Sequence, residues 1–169
     1  MSSVCKRMNK HHNYIKTNHM SKYNLREKKE SPALYRTAIK AEVIDVIYEQ
    51  ILRKMIVDKR YRDPQYNAQR LAEEIGTNPR YISAAVSLRF QCNFPELIAG
   101  YRLREAISMM TDKRNRKLSM AEIAAASGFA NRQSFYATFY KMHGKTPKEY
   151  HNEFYARLEQ GRTGKDKKQ

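Results

Sequence analysis

The chain has 169 residues, with 33 Lys and Arg against 17 Asp and Glu, a formal net charge of +16 at pH 7 and 41% hydrophobic residues. That length suits one domain or two very small ones. Two Cys without C-x-x-C spacing exclude a disulfide framework and the common zinc motifs, and no apolar run approaches the ~18 residues of a membrane span.

The charge is uneven. Residues 1–31 hold eight Lys/Arg and two Glu, and residues 161–169 hold four Lys/Arg and one Asp. About half of the surplus therefore falls on the body of the chain, a distribution that favours a polyanionic partner. The N-terminus lacks the apolar core of a secretory signal, so a cytoplasmic protein is expected.

In chain order, residues 1–30 are polar, rich in His, Lys and Asn, and aperiodic, and they predict a disordered basic arm. Ser31-Pro32 reads as an N-cap with Pro at the first helical position, opening a helix that runs to about Lys59. Ile44, Ile47, Ile51 and Met55 form its stripe. Ile39, Val43, Val46 and Ile56 widen it, so the helix is expected to be half buried or shared with a second copy of the chain. Asp63-Pro64 predicts a turn that closes this N-terminal segment, 31–66.

Six helices are expected next. The first, about 67–75, ends at Gly76. Asn78-Pro79 caps the second, to about Gln91. Asn93 and Glu96 open a long one, about 94–112, followed by a loop "KRNRKL". Ser119 and Glu122 form a capping box for a helix of about 120–127. After Gly128-Phe129 comes a helix of about 131–142, stopped by Gly144. Thr146 and Glu149 open the last, which fades near Gly161, before a disordered basic tail, 161–169.

The fold expected is all-α, and it contains a repeat. "RLAEEIGTNPRYISAAV" aligns with "EIAAASGFANRQSFYATF": Leu71-Ala72 with Ile123-Ala124, Gly76 with Gly128, Ile82 with Phe135 and Val86 with Phe139. Each copy is helix, Gly corner, helix, the pattern of a helix-turn-helix unit. The two units, about 67–91 and 119–143, flank the long helix. In each second helix the apolar residues mark the core: Ile82, Val86 and Phe90, then Phe135, Phe139 and Met142. The opposite faces offer Arg80, Ser83, Ala84 and Ser87, and Arg132, Gln133, Tyr136 and Ala137. The helix starts at Asn78 and Asn131 present backbone N–H groups suited to phosphate. A linking helix of 18 or 19 residues spans about 27 Å, so the two second helices could enter major grooves about one DNA turn apart.

The stretch from about 68 to 151 resembles the DNA-binding domain of AraC/XylS-type transcription regulators. The likeness lies in "LAEEIGTNPRYIS", "NFPELIAGYRLREA" and above all "SMAEIAAASGFANRQSFYATFYKMHGKTPKEY". It implies sequence-specific binding of double-stranded promoter DNA, usually to activate transcription, with RNA polymerase as a partner. It carries base contacts onto Arg80, Ser83, Ala84, Arg132, Gln133, Tyr136 and Ala137, and makes Tyr101-Arg102-Leu103 and Ala106 the core of the linking helix. Phosphate contacts are expected from Asn78, Ser87, Asn131, Lys113, Arg114, Arg116, Lys117 and Lys145. This chain departs from the family at several places. Ala84 and Ala137 stand where many members place Arg or another long polar residue. Gln91 replaces the usual Gly, and His151 stands where Arg is common. Residues 1–66 are too short and polar for the usual β-rich effector module, so the chain is expected to be either a stand-alone regulator of the short type or one whose partner contacts, a homodimer among them, use the helix at 32–59.

Other classes fit less well. Cys5, His11, His12 and His19 match no common zinc spacing. Gly-rich phosphate loops, nucleophile elbows and paired His/acid settings are missing from the sequence, so neither an enzyme nor a cofactor is expected. Cys92 beside Phe94 reads as a small core residue, and His143 as a helix-end residue whose charge would suit the dipole. The remaining alternatives are a non-specific architectural DNA-binding protein and a protein-interaction adaptor.

Overall fold

The computed structural model describes residues 39–163, with side chains to 160. The arm, the Ser31-Pro32 helix opening, the Cys5/His group and the end of the tail lie outside the described residues. Among the described residues every regular element is helical.

The first helix, α1 (Ala41–Ile56), buries Ile44, Ile47, Ile51 and Met55, the expected stripe. It does not run unbroken through residues 39 and 40. Lys40 is extended (φ −58°, ψ 139°), and the helix starts at Ala41, with Glu42 in the first turn facing the dipole. The widening residues divide. Ile39 packs against the core, whereas Val43, Val46 and Ile56 are exposed, Val46 at 63%. Lys59 in the left-handed region (φ 48°) then bends the chain into a 3-10 turn, Arg60–Arg62.

Helix α2 (Ala68–Glu74) is capped by Asn67, and α3 (Pro79–Ala85) by Asn78, whose Oδ1 accepts from the Tyr81 N–H at 3.1 Å. The expected helix to Gln91 is not a regular α-helix throughout, because α3 passes into a π-helical turn, Val86–Phe90. The wider turn lets Ile82, Val86 and Phe90 all reach the core, with Phe90 against Tyr48 at 5.1 Å. Gln91 closes the turn in the left-handed region (φ 57°), the conformation that explains why glycine suits this position.

Helix α4 (Phe94–Thr111) opens with a complete Asn93/Glu96 capping box and ends at Asp112, which caps a 3-10 turn, Lys113–Asn115, within the expected loop. Helices α5 (Met120–Ala126), α6 (Arg132–His143) and α7 (Pro147–Thr163) follow. The Ser119/Glu122 and Thr146/Glu149 boxes both form. In each, hydrogen bonds from the cap backbone hold the Glu carboxyl below the usual carboxylate range.

These helices build two cores on one shared rod. Phe94, Leu97, Ile98 and Tyr101 of α4 join α1, α2 and α3 in the first. Leu103, Ala106 and Met110 join α5, α6 and the buried Phe129 in the second. Phe135 and Phe139 have no exposed surface and meet edge to face at 5.7 Å. His143 stands at the end of α6, as expected, but its ring packs on Phe139 at 4.6 Å and near Tyr150 at 5.8 Å. Burial, with Lys145 nearby, pushes its pKa down, so it serves as a neutral ring rather than a charge on the dipole. Cys92 is half buried at the edge of the first core, and burial, helped by Glu96, pushes its thiol up to about 11.

Candidate nucleic-acid interface

Helix α6 is two-faced. Phe135 and Phe139 point inward, so Gln133 and Ala137, displaced by about half a turn, point outward, and Arg132 and Tyr136 stand on the flank between the two faces. Arg132, Gln133 and Ala137 are exposed and Tyr136 is half buried. Asn131 fixes the helix start: its Oδ1 accepts from the Ser134 N–H at 2.8 Å. Tyr136 is held on two sides. Its ring lies edge-on to Phe135 at 5.8 Å, and the Arg132 guanidinium lies 4.8 Å above the ring centroid and donates to the hydroxyl at 3.2 Å. Arg132 and Tyr136 thus form one pre-arranged polar surface. Tyr140, one turn on and 59% exposed, extends this face. Its spacing of four from Tyr136 and three from Ala137 was the available sequence signal.

In the first unit Arg80 and Ser83 are exposed on α3, and the Ser83 hydroxyl donates back to the Pro79 carbonyl at 2.9 Å. Ala84 does not join them. It is 0% exposed and lies in the first core with Ala85 and the α1 stripe, so it has no surface to offer a base. The reason is α1, which packs across α3 and approaches closely because positions 84 and 85 are small. Ser87 falls in the π-helical turn and is half exposed.

The cations expected at phosphates differ in their commitments. Lys113, Arg114, Arg116 and Lys117 are exposed around the turn after α4. Arg114 pairs with Asp112 at 2.6 Å, and Arg116 lies 4.9 Å above the Tyr155 ring. Lys145 pairs with Glu153 at 2.6 Å. The Asn78 and Asn131 side chains are engaged as caps through Oδ1, which leaves the amide nitrogen and the helix-end N–H groups to meet a phosphate.

The architecture is therefore a pair of helix-turn-helix units on a common helix, each with a capped second helix carrying a polar outer face. Comparison with known proteins agrees. A family model described as a helix-turn-helix domain matches residues 71–153. The C-terminal domain of AraT, a response regulator from Geobacillus stearothermophilus, superposes with a TM-score of 0.55 at 20% identity, over 66% of this chain and 84% of that one. The C-terminal domain of the two-component response regulator yesN from Fusobacterium nucleatum subsp. nucleatum ATCC 25586 gives 0.51 at 25% identity, over 65% and 95%. A DNA-binding transcriptional dual regulator from Escherichia coli K-12 gives 0.55 at 15% identity, over 65% and 93%. No curated protein matches the chain in sequence. Through residues 71–153 the chain belongs to the AraC-type helix-turn-helix family, whose domains bind DNA in transcription regulators. Among the described residues no helix is long and apolar enough to cross a membrane.

Proposed function

We propose that this protein is a sequence-specific regulator that grips promoter DNA with α3 and α6 in two adjacent major grooves. The observation that carries this reading is the division of α6, with two fully buried Phe on one side and Arg132, Gln133, Tyr136 and Ala137 on the other. Arg132 and Gln133 suit bidentate contacts to base edges, each able to discriminate by about 1–3 kcal/mol. Tyr136 supports Arg132 from below, and the exposed Ala137 methyl suits a thymine methyl. Arg80 and Ser83 read the second groove. Lys113, Arg114, Arg116, Lys117 and Lys145 supply phosphate affinity that is indifferent to sequence.

Competition between an enriched duplex and a scrambled one tests this. Arg132→Ala should weaken the enriched duplex selectively, by roughly tenfold or more. The paired change Lys113→Ala and Lys117→Ala should weaken both duplexes alike and flatten the salt dependence. Equal loss on both duplexes for Arg132→Ala would overturn the base-reading role. The outcome at the promoter is activation through RNA polymerase, as the family resemblance implies, and a reporter fusion that falls silent with the protein present would reverse that. The exposed Val43, Val46 and Val57 of and just after α1 support a homodimer contact, and sedimentation as a monomer at micromolar concentration would remove it.

A further inference from the structure

The internal repeat supplies its own control. Gly76 and Gly128 occupy equivalent corners, and both have positive φ, +68° and +92°. A Cβ on Gly76 would meet nothing within 4 Å. A Cβ on Gly128 would lie 2.5 Å from the Tyr61 carbonyl oxygen, 2.6 Å from Arg62 Cα and 2.8 Å from the Arg62 carbonyl oxygen. These are backbone atoms of the 3-10 turn that leads from α1 into the first unit, and they touch the corner of the second.

Other contacts converge on the same turn. The Tyr61 ring stacks on Tyr101 at 5.6 Å, and its hydroxyl donates to Glu105 at 3.0 Å. Arg62 pairs with the same carboxylate. Burial alone would push the Glu105 carboxyl up, but hydrogen bonds from Arg62 and Tyr61 hold it below the usual range. Arg102, half buried, donates to the Tyr61 carbonyl at 2.7 Å and to the Asp63 carbonyl at 2.8 Å. Its guanidinium also stands 6.0 Å from the Phe129 ring centroid. One side chain of α4 thereby touches both the turn and the corner.

We infer that residues 60–63 are a clamp, wedged between α4 and the Gly128-Phe129 corner, that fixes the angle between the two units and so the relative phase of α3 and α6. Gly128 has two tasks, to turn the chain and to admit the clamp, whereas Gly76 has only the first. Arg102 and Glu105 are positioning residues, remote from the outer faces of α3 and α6. The consequence for DNA rests on the function proposed above, but the rigidity is a property of the free protein.

Distance measurement by paired spin labels tests the clamp without DNA. The full chain would carry Cys5→Ser and Cys92→Ser, with labels at Glu73→Cys on α2 and Lys141→Cys on α6. A single narrow distance distribution is expected for this parent and for Gly76→Ala. Gly128→Ala and Arg102→Met should shift or broaden it. Should Gly128→Ala fail to fold, folded Arg102→Met decides: an unchanged narrow distribution there overturns the clamp. The DNA arm uses a duplex enriched by the wild-type protein from a random library, and a truncated duplex holding only the groove bound by α6. Arg102→Met should lose about tenfold or more on the full duplex, because linked sites gain through effective concentration, and little on the truncated one. Distances that respond as expected in a protein that selects no sequence would leave the clamp standing and remove the specific-regulator reading.

Discussion

Ala84 and Ala137 hold equivalent places in the repeat, one residue after Ser83 and one after Tyr136, yet the structure treats them oppositely. Ala84 is 0% exposed beneath α1, and Ala137 is exposed on α6. Replacing each by Arg should therefore give divergent results. At position 84 the longer side chain must overpack a filled core, which costs about 1–3 kcal/mol. It must also bring a guanidinium stem past Ile82, Ala85 and the α1 stripe, with added cost unless the head escapes to solvent. A total of about 2–4 kcal/mol is expected, a large share of the stability of a domain this size. At position 137 the change should fall within about ±0.5 kcal/mol. Urea unfolding of both variants, with m-values compared to confirm two-state behaviour, measures the difference. If Ala84→Arg matched Ala137→Arg to within 0.5 kcal/mol, α1 would not cover α3, and Ala84 would return to the list of possible base contacts.

Three further outcomes are expected. Ser119→Ala removes a cap that accepts from the Glu122 N–H, so it should cost the second unit about 1 kcal/mol, seen by thermal unfolding. Gln91→Gly relieves a left-handed residue at a cost in unfolded-chain entropy, and should raise stability by about 0.5 kcal/mol; a lower melting temperature would contradict it. The His143 pKa is depressed in the folded protein, so its stabilising effect is complete above the ordinary histidine pKa and is lost as pH falls through the folded value. Wild type should thus lose stability as pH falls below the ordinary histidine range, with His143→Gln showing a shallower slope, as urea midpoints measured on both sides of that range would record.

What the sequence made legible was local. The Asn93/Glu96, Ser119/Glu122 and Thr146/Glu149 boxes each bind residues three apart, so their geometry is implicit in the spacing, and all three form. The α1 stripe is equally local, since 3.6 residues per turn brings Ile44, Ile47, Ile51 and Met55 to one side. Periodicity gave no warning of the π-helical turn after Ala85, which carries Phe90 against Tyr48 on α1, a residue more than 40 positions earlier. Nor could it place Ala84. Aligning the two units assumes that both have the same neighbours, but α1 lies over one of them alone. The role of Tyr61, Arg62 and Asp63 was also hidden, because their partners on α4 stand about 40 residues away and at the Gly128 corner further still. The helix-end place of His143 was legible, and so was its spacing of four from Phe139, whereas its contact with Tyr150 depends on how the next helix packs.

The shared helix α4 sets a limit on how such a protein can be rebuilt. Phe94 to Tyr101 complete one core and Leu103 to Met110 the other, so no residue between them is a seam. A chimera spliced there would carry half of a rod fitted to one stranger and half to another. On the reading proposed above, new binding preferences are easier to reach by changing outward side chains in place, Arg132 and Gln133 first, than by trading whole units between relatives as if they were cassettes.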